Sequence, residues 1–402
     1  MKNVSIVLTL IVVLFSCTQK KELDNVVDLT TITEPSVTNL SELGSEITYI
    51  ALETNAACLI QKIDKLIYEE GSFFIRSTFE NNVVRDKNAP PPPPMMPIRS
   101  LYRFSKGGEF IGQIGRRGGA PSEYREIHDF FYNKSNNTID IFFRGEIKEF
   151  SLDGIWEKNI TLEYNEIYWI AHTNNQFLGY DNNVRGQNEY SFVLFDADGE
   201  ITKKYKNKYK FNISTGGVVY PSECIFYQYD GNLHCKEMHS DTIFTFNNGD
   251  FIPKYILNQG DAKYTVDLRE KRNSVDFTQI IFQENIFESN NYLFYQYRWK
   301  ERDNCFIKNK LNGSQYLIDN DTGLVNDLDN GPNFKIQNTV TVDGTEYVIS
   351  WINAFELKAH VATNEFKNST PKYPEKKKQL EQLANSLDEN DNPVLMLVKL
   401  KE

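Results

Sequence analysis

The sequence predicts an all-β chain folded as a six-bladed β-propeller. Two observations carry that prediction: a phrase that recurs at blade-length spacing, and a short apolar strand at the very end of the chain. The phrase is an apolar pair, an aromatic, a polar turn with glycine, and a second apolar run. It reads Leu101-Tyr102-Arg103-Phe104 before Gly107-Gly108, Ile147-Lys148-Glu149-Phe150 before Gly154, Phe192-Val193-Leu194-Phe195 before Gly199, and Thr242 to Phe246 before Gly249. The anchoring residues Phe104, Phe150, Phe195 and Phe246 stand 46, 45 and 51 residues apart. Strand, tight turn and strand repeating at that period is the mark of a propeller blade. A weaker copy, Phe306-Ile307 before Gly313, follows.

The chain opens with a segment that does not belong to the fold. Lys2 supplies a positive start, and Val4 to Phe15 is apolar except for Ser5 and Thr9. That run is too short to cross a hydrocarbon layer of ~30 Å and has the form of a signal peptide over residues 1–16. Leu14-Phe15-Ser16-Cys17 resembles a bacterial lipobox, in which cleavage leaves the cysteine as an acylated N-terminus. The alternative is an ordinary secretory signal with Cys17 in place by chance. An acyl chain contributes ~0.8 kcal/mol per buried methylene, so lipidated Cys17 would hold a domain on a membrane without a spanning helix. Residues 17–40 are expected to be tether and residues 41–402 the propeller.

Ile47 to Leu52 reads as a first strand. The first full blade then occupies 59–115, with strands at Ile60 to Tyr68, Phe73 to Ser77, Ser100 to Phe104 and Phe110 to Ile114. Ile127 to Tyr132, Thr138 to Phe143, Ile147 to Phe150 and Ile155 to Leu162 make the second. Blades follow over about 164–208, 213–258 and 275–320, the last preceded by a long loop containing Arg269-Glu270-Lys271-Arg272. Phe334 to Val342 and Tyr347 to Trp351 begin the sixth.

The sixth blade is interrupted by a helical insertion at about 371–390. Leu380, Leu383 and Leu387 share one face, Pro374 suits a first turn, and Asn390-Asp391-Asn392-Pro393 stops the helix. Val394 to Val398 is then a strand with no sequential partner. An unclosed sheet edge would recruit other chains, so this strand is expected to pair with Ile47 to Leu52 and seal the ring. The run Ala89 to Pro97, with five consecutive prolines, cannot join a ladder and reads as a stiff loop extension within the first blade.

Composition excludes some partners. Without residues 1–16 the chain carries 43 basic and 55 acidic residues, a formal charge of −12. That balance argues against nucleic acid, whose binding rests on neutralising phosphates, and equally disfavours wide contact with anionic lipid. Cys58, Cys224, Cys235 and Cys305 could pair in an exported protein; Cys224 and Cys235 flank a hairpin turn, but their register is off by about one pair. No cysteine or histidine spacing suits a metal, so no cofactor is expected.

The most distinctive segment is Ile114-Gly115-Arg116-Arg117-Gly118-Gly119-Ala120-Pro121-Ser122-Glu123-Tyr124, followed by Ile127-His128-Asp129-Phe130. It crosses between blades; glycines permit close approach, and Tyr124 can wedge between sheets. This segment, the lipobox, the strand opening Asp241-Thr242-Ile243-Phe244 and the ending Asn392 to Leu400 together resemble the six-bladed β-propeller lipoproteins of Bacteroidetes, distant relatives of NHL-repeat propellers. The resemblance spans about Leu40 to Leu400 and implies an outer-membrane lipoprotein. It implies no shared catalytic constellation. Many surface lipoproteins of that group carry acidic residues directly after the cysteine; Lys20 and Lys21 here favour the periplasmic face.

Arg116 and Arg117 could clamp a carboxylate or sulfate at the channel. They could equally pair with Glu123 and Glu126. The expected role is a binding or scaffold module for a glycan, peptide or partner protein, with Tyr168, Trp169 and Trp299 as stacking surfaces. The rival is a metal-dependent hydrolase or lyase using His128, Asp129 and His172 in the channel. Asp196 to Glu200 and Asp319 to Gly323 look like calcium loops but lack the full ligand spacing, and acidic turns explain them.

Overall fold

The computed structural model describes residues 25–80, 97–214 and 216–401. Among the described residues six sheets stand around a central channel, each with four antiparallel strands in radial order, to which one sheet adds a fifth, parallel strand. Blade I is Lys62–Glu69, Ser72–Phe79, Ile98–Ser105 and Phe110–Gln113. Blade II is Asp129–Asn133, Thr138–Phe143, Glu146–Ser151 and Trp156–Thr161, and blade III is Ile167–Thr173, Gln176–Asp181, Tyr190–Phe195 and Ile201–Lys206. Blade IV runs Cys224–Tyr229, Asn232–Glu237, Thr242–Asn247 and Asp250–Asn258; blade V runs Phe282–Glu288, Tyr292–Trp299, Arg302–Asn309 and Gln315–Asp319.

Blade VI is assembled from both ends of the chain. Its inner strands are Asn338–Val342 and Thr345–Ile352, its third is Val394–Leu400, and its outermost is Gly44–Ala51. Tyr49 lies opposite Met396, and Ile47 opposite Val398. The expected closure is therefore the closure observed, and it converts the two sheet edges most exposed to mispairing into one ladder.

The core lies in flat layers between neighbouring blades. In the second strand of blade I, Phe73 and Ile75 face Ile349 and Leu395 of blade VI. Phe74 faces the other way, onto Phe130, Ile139 and Phe150 of blade II. Side chains alternate across a strand, so an uninterrupted apolar run is what a sheet buried on both faces requires. Tyr124 is buried in the layer between blades I and II, the wedge expected of it.

Two expectations need correction. Residues 25–40, read as tether, are fixed to the ring. Val26–Asp28 forms a fifth, parallel strand on the outer edge of blade IV, Val27 and Leu29 are buried, and Leu40 docks its backbone on Val325. Alternation of Val26-Val27 and Leu29 within so short a polar segment was too weak a signal. The insertion of blade VI is also larger than expected: helices Ala354–Ala362 and Asn364–Asn368 precede Pro374–Ser386. Leu357, Val361, Phe366, Leu380 and Ala384 bury one shared face over Val394. A capping signal was present, since Asn353 N donates to Glu356 Oε2 at 3.3 Å.

All four described cysteines are free and buried. Cys224 stands opposite Glu237 and Cys235 opposite Phe226, so the two thiols sit diagonally, without a disulfide. The signal segment, Cys17 and residues 89–96 of the proline run lie outside the described residues.

Candidate functional site: a cleft between blades IV and V

The inner strands of the six blades begin on one face of the ring. The helical insertion joins the second and third strands of blade VI, so it too emerges on that face. A cleft of about 380 Å³ opens there between blades IV and V. Tyr220, Pro221 and Ser222 enter it from the link into blade IV, and Met238 from the turn beyond that blade's second strand. Phe277 comes from the insertion ahead of blade V, and Phe282, Gln283 and Glu284 are the first three residues of its innermost strand. Arg298 closes the rim.

The aromatic wall is preorganised. Phe282 lies 5.5 Å from Tyr220, 5.6 Å from Phe277 and 5.0 Å from Tyr264 between ring centroids. Tyr220 and Tyr264 join their hydroxyls at 3.1 Å. Behind them a buried ion pair links Arg269 Nη2 to Glu223 at 2.6 Å, and the arginine stacks over Phe211 and Tyr220. Arg269 belongs to the loop flagged by its charges; Thr265 caps its helix, Val266–Glu270, by accepting from Leu268 N. On the opposite wall Gln283 is fixed at both ends: its Nε2 donates to Ser222 O at 2.7 Å, and its Oε1 accepts from Lys236 Nζ at 2.7 Å. Burial pulls the Lys236 amine down to about 7.

The rim is polar and charge-mixed. Glu284 is open to solvent yet flanked by protein, and that partial desolvation pushes its carboxyl up to about 7, with Asp303 adding to the rise and Arg298 opposing it. A smaller hollow of about 150 Å³ shares Pro221, Ser222 and Glu284 and extends to Trp169 and Asp129 at the channel. Trp169 Nε1 donates to Pro221 O at 2.9 Å, which ties blade III to the cleft floor. Together the hollows offer apolar ring faces beside a few oriented polar groups, the usual composition of a small-ligand site.

The residues singled out from sequence fall in several places. Arg116 Nε pairs with Glu123 at 3.0 Å, and Arg117 Nε donates to Arg125 O at 3.1 Å, so both brace the inter-blade crossing. Asp129 carries Lys65 at 2.5 Å and Arg76 at 3.8 Å. His128 packs against Phe143 and Tyr168, and its buried Nδ1 has no hydrogen-bond partner among the described residues. Burial, with Arg144, Arg99 and Arg76 nearby, lowers its pKa to about 4. His172 stacks on Phe131, and burial takes it to about 4 as well. Among the described residues no three His, Cys, Asp or Glu side chains converge as metal ligands. The two acidic loops are turns: Asp196 Oδ1 accepts from Asp198 N and Glu200 N, and Asp319 Oδ1 from Asp321 N.

Of the three expected stacking residues, Trp169 borders the smaller hollow and Tyr168 packs on it at 4.7 Å, whereas Trp299 is engaged by Gln279 O and Lys300. Tyr220, Phe277, Phe282, Glu284 and Arg298 were not found from sequence. They come from three separate segments, and no local pattern marks their convergence.

Residues 95–399 match the family described as "Domain of unknown function (DUF4934)". The chain belongs to that family. Residues 18–84 match a second model, described as "6-bladed beta-propeller". No curated protein matches the chain. Among solved structures, a protein of Bacteroides fragilis described as exported is 17% identical with a TM-score of 0.68, over 94% of this chain and 99% of that one. The WD40 domain of Neurospora crassa Pan2 is 10% identical with a TM-score of 0.37, over 71% and 72% of the two chains. The extracellular domain of a two-component system protein from B. thetaiotaomicron is 12% identical with a TM-score of 0.36, over 76% and 36%. At such identities the likeness to the B. fragilis protein speaks for the fold.

Proposed function

We propose that the mature protein is a lipid-anchored, extracytoplasmic binding propeller. In this reading Cys17 is acylated, the ring stands at the outer membrane with the periplasmic side favoured, and the cleft between blades IV and V holds the ligand. The NHL-like kinship belongs to the same reading. The observation that carries it is the cleft itself: three aromatic faces, Tyr220, Phe277 and Phe282, beside Glu284 and Arg298. Apolar ring faces with adjacent hydrogen-bonding groups suit a sugar ring or a peptide side chain better than a free ion. The B. fragilis neighbour, described as exported, agrees with an extracytoplasmic setting.

The test is a thermal-shift screen of oligosaccharides and short peptides, followed by calorimetry on the best binder. Phe282→Ala and Arg298→Ala should each weaken binding at least about tenfold, the loss of roughly 1.4 kcal/mol. A ligand that binds both variants with wild-type affinity would place the site elsewhere. The metal-dependent rival is addressed by elemental analysis of purified protein before and after chelation; stoichiometric metal lost together with an activity would favour it.

A further inference from the structure

Three charged residues line the two hollows: Asp129, Glu284 and Arg298. Asp129 is already neutralised, with Lys65 Nζ at 2.5 Å and Arg76 Nη1 at 3.8 Å. Glu284 and Arg298 are different. Both are exposed, and among the described residues neither side chain has a hydrogen bond or a salt bridge. They stand near enough for the guanidinium to act on the carboxyl, yet they do not close on each other.

A break in the ladder sets the position of Glu284. The innermost strand of blade V shifts register between Gln283 and Asn285, which leaves Glu284 without a cross-strand partner. The innermost strands of blades I and III shift near the same end and leave out Asp64 and Tyr168. A bulge re-aims the side chain it carries, and bulges gather beside functional sites. Asp64 is held by Arg76 at 2.6 Å, and Tyr168 packs on His128 and Trp169. Glu284 is the bulged residue that nothing described engages. Arg298 is the cross-strand partner of Phe282, so the two side chains leave the sheet on the same face. Phe282 in turn packs on Tyr220 and Phe277. A free guanidinium and a free carboxylate therefore stand beside one aromatic wall.

We infer that the cleft takes a short zwitterionic peptide, with its terminal carboxylate on Arg298, its ammonium on Glu284 and an apolar side chain against Phe282. This ligand class rests on the cleft being the binding site, as proposed above. Arginine meets a carboxylate through two parallel N–H donors, and a carboxylate is the natural acceptor for an ammonium. A neutral sugar would cover both charges and compensate neither. A ligand of one sign would satisfy one charge and be repelled by the other. The cleft volume of about 380 Å³ lies towards the lower end of the ~300–1,000 Å³ usual for small ligands, which suits a short peptide rather than a folded partner. The adjoining hollow of about 150 Å³, which Glu284 also lines, gives the ammonium end room beside Trp169.

The test is calorimetry on the full protein with four forms of one dipeptide: glycyl-phenylalanine, its N-acetyl derivative, its C-terminal amide, and the doubly blocked compound. The free zwitterion should bind tightest, and each single block should weaken binding at least about tenfold. Two variants assign the charges. Glu284→Gln should erase the difference between free and acetylated amine while keeping the preference for acid over amide, and Arg298→Gln should do the reverse. A general loss of structure would move both preferences together. Equal affinity for all four compounds, or binding of none, overturns the zwitterion. If an oligosaccharide binds instead and Phe282→Ala abolishes it, the cleft remains the site and the peptide assignment alone fails. If the zwitterion binds Phe282→Ala as well as wild type, the cleft itself is wrong and the assignment falls with it.

Discussion

Arg269 and Glu223 form an ion pair of 2.6 Å with each side chain only 2% exposed. It joins the insertion ahead of blade V to the entry of blade IV, directly behind the aromatic wall of the cleft. Glu223 Oε1 also accepts from Tyr220 N at 3.2 Å, so the pair positions a ring of the site. Removing one partner leaves a buried charge uncompensated, which costs about 3–5 kcal/mol. Arg269→Met is therefore expected to lower the urea midpoint markedly. Arg269→Met with Glu223→Gln should recover most of that loss, because no lone charge remains. A single variant as stable as wild type would show that the pair has little role.

Ring closure makes a second prediction, at Gly44. Its φ is −117°, ordinary for any residue, yet an added Cβ would lie 2.2 Å from Val398 Cγ1. Val398 is fully buried in the third strand of the same blade, so it cannot retreat. Gly44→Ala should cost about 1–3 kcal/mol, the usual price of overpacking. Deleting residues 393–402 removes the strand altogether and should abolish cooperative unfolding, as read by circular dichroism against denaturant. A truncated protein with wild-type melting would refute closure as a source of stability.

The recurrent glycines yield a third prediction, and they also show what sequence could and could not disclose. Gly108, Gly154 and Gly199 all have positive φ, between +79° and +94°. A Cβ at each would strike a backbone oxygen of the preceding blade: Ala51 O at 2.2 Å, Gln113 O at 2.3 Å and Thr161 O at 2.6 Å. Gly313 in the weaker copy has φ +75° but nothing within 4 Å. Gly154→Ala should therefore destabilise by at least about 1 kcal/mol more than Gly313→Ala, since only the first adds a clash to backbone strain. Equal losses in denaturant titrations would mean that the blade contact is soft.

Blade count and closure were legible because period-two runs, turn glycines and a solitary terminal strand are local signals. The same holds for Pro374–Ser386, whose proline and leucine spacing announce a helix. The strap at residues 25–40 was not legible, because its burial depends on the edge of blade IV, more than two hundred residues away. The cleft was hidden for the same reason: Tyr220, Phe282 and Arg298 are unremarkable in sequence and meet only when blades IV and V pack. His128 and His172 illustrate the converse: their positions, just ahead of the inner strand of blade II and within that of blade III, were readable, while their aromatic surroundings were not.

Asp140 supplies the last prediction, with a pH sign. It is fully buried in the second strand of blade II, accepting from Thr138 Oγ1 at 2.7 Å and Asn133 Nδ2 at 3.1 Å. Burial raises its carboxyl to about 7 in spite of those bonds, and Glu149 adds to the rise. Between its unfolded value near 4 and about 7 the folded chain keeps this proton and the unfolded chain does not. Stability from this group is thus full below pH ~4 and is lost as pH rises towards 7. His128, His172, His234 and His239, each lowered to about 4, act in the opposite sense: the unfolded state binds their protons first, so their penalty grows as pH falls from 6.5 to 4. The two effects overlap, and wild-type stability alone will not resolve them. Comparison with Asp140→Asn will, because the histidines cancel in the difference. The stability of wild type relative to Asp140→Asn should be greater at pH 5 than at pH 8.5. A difference independent of pH would mean that Asp140 is ionised in the folded protein throughout.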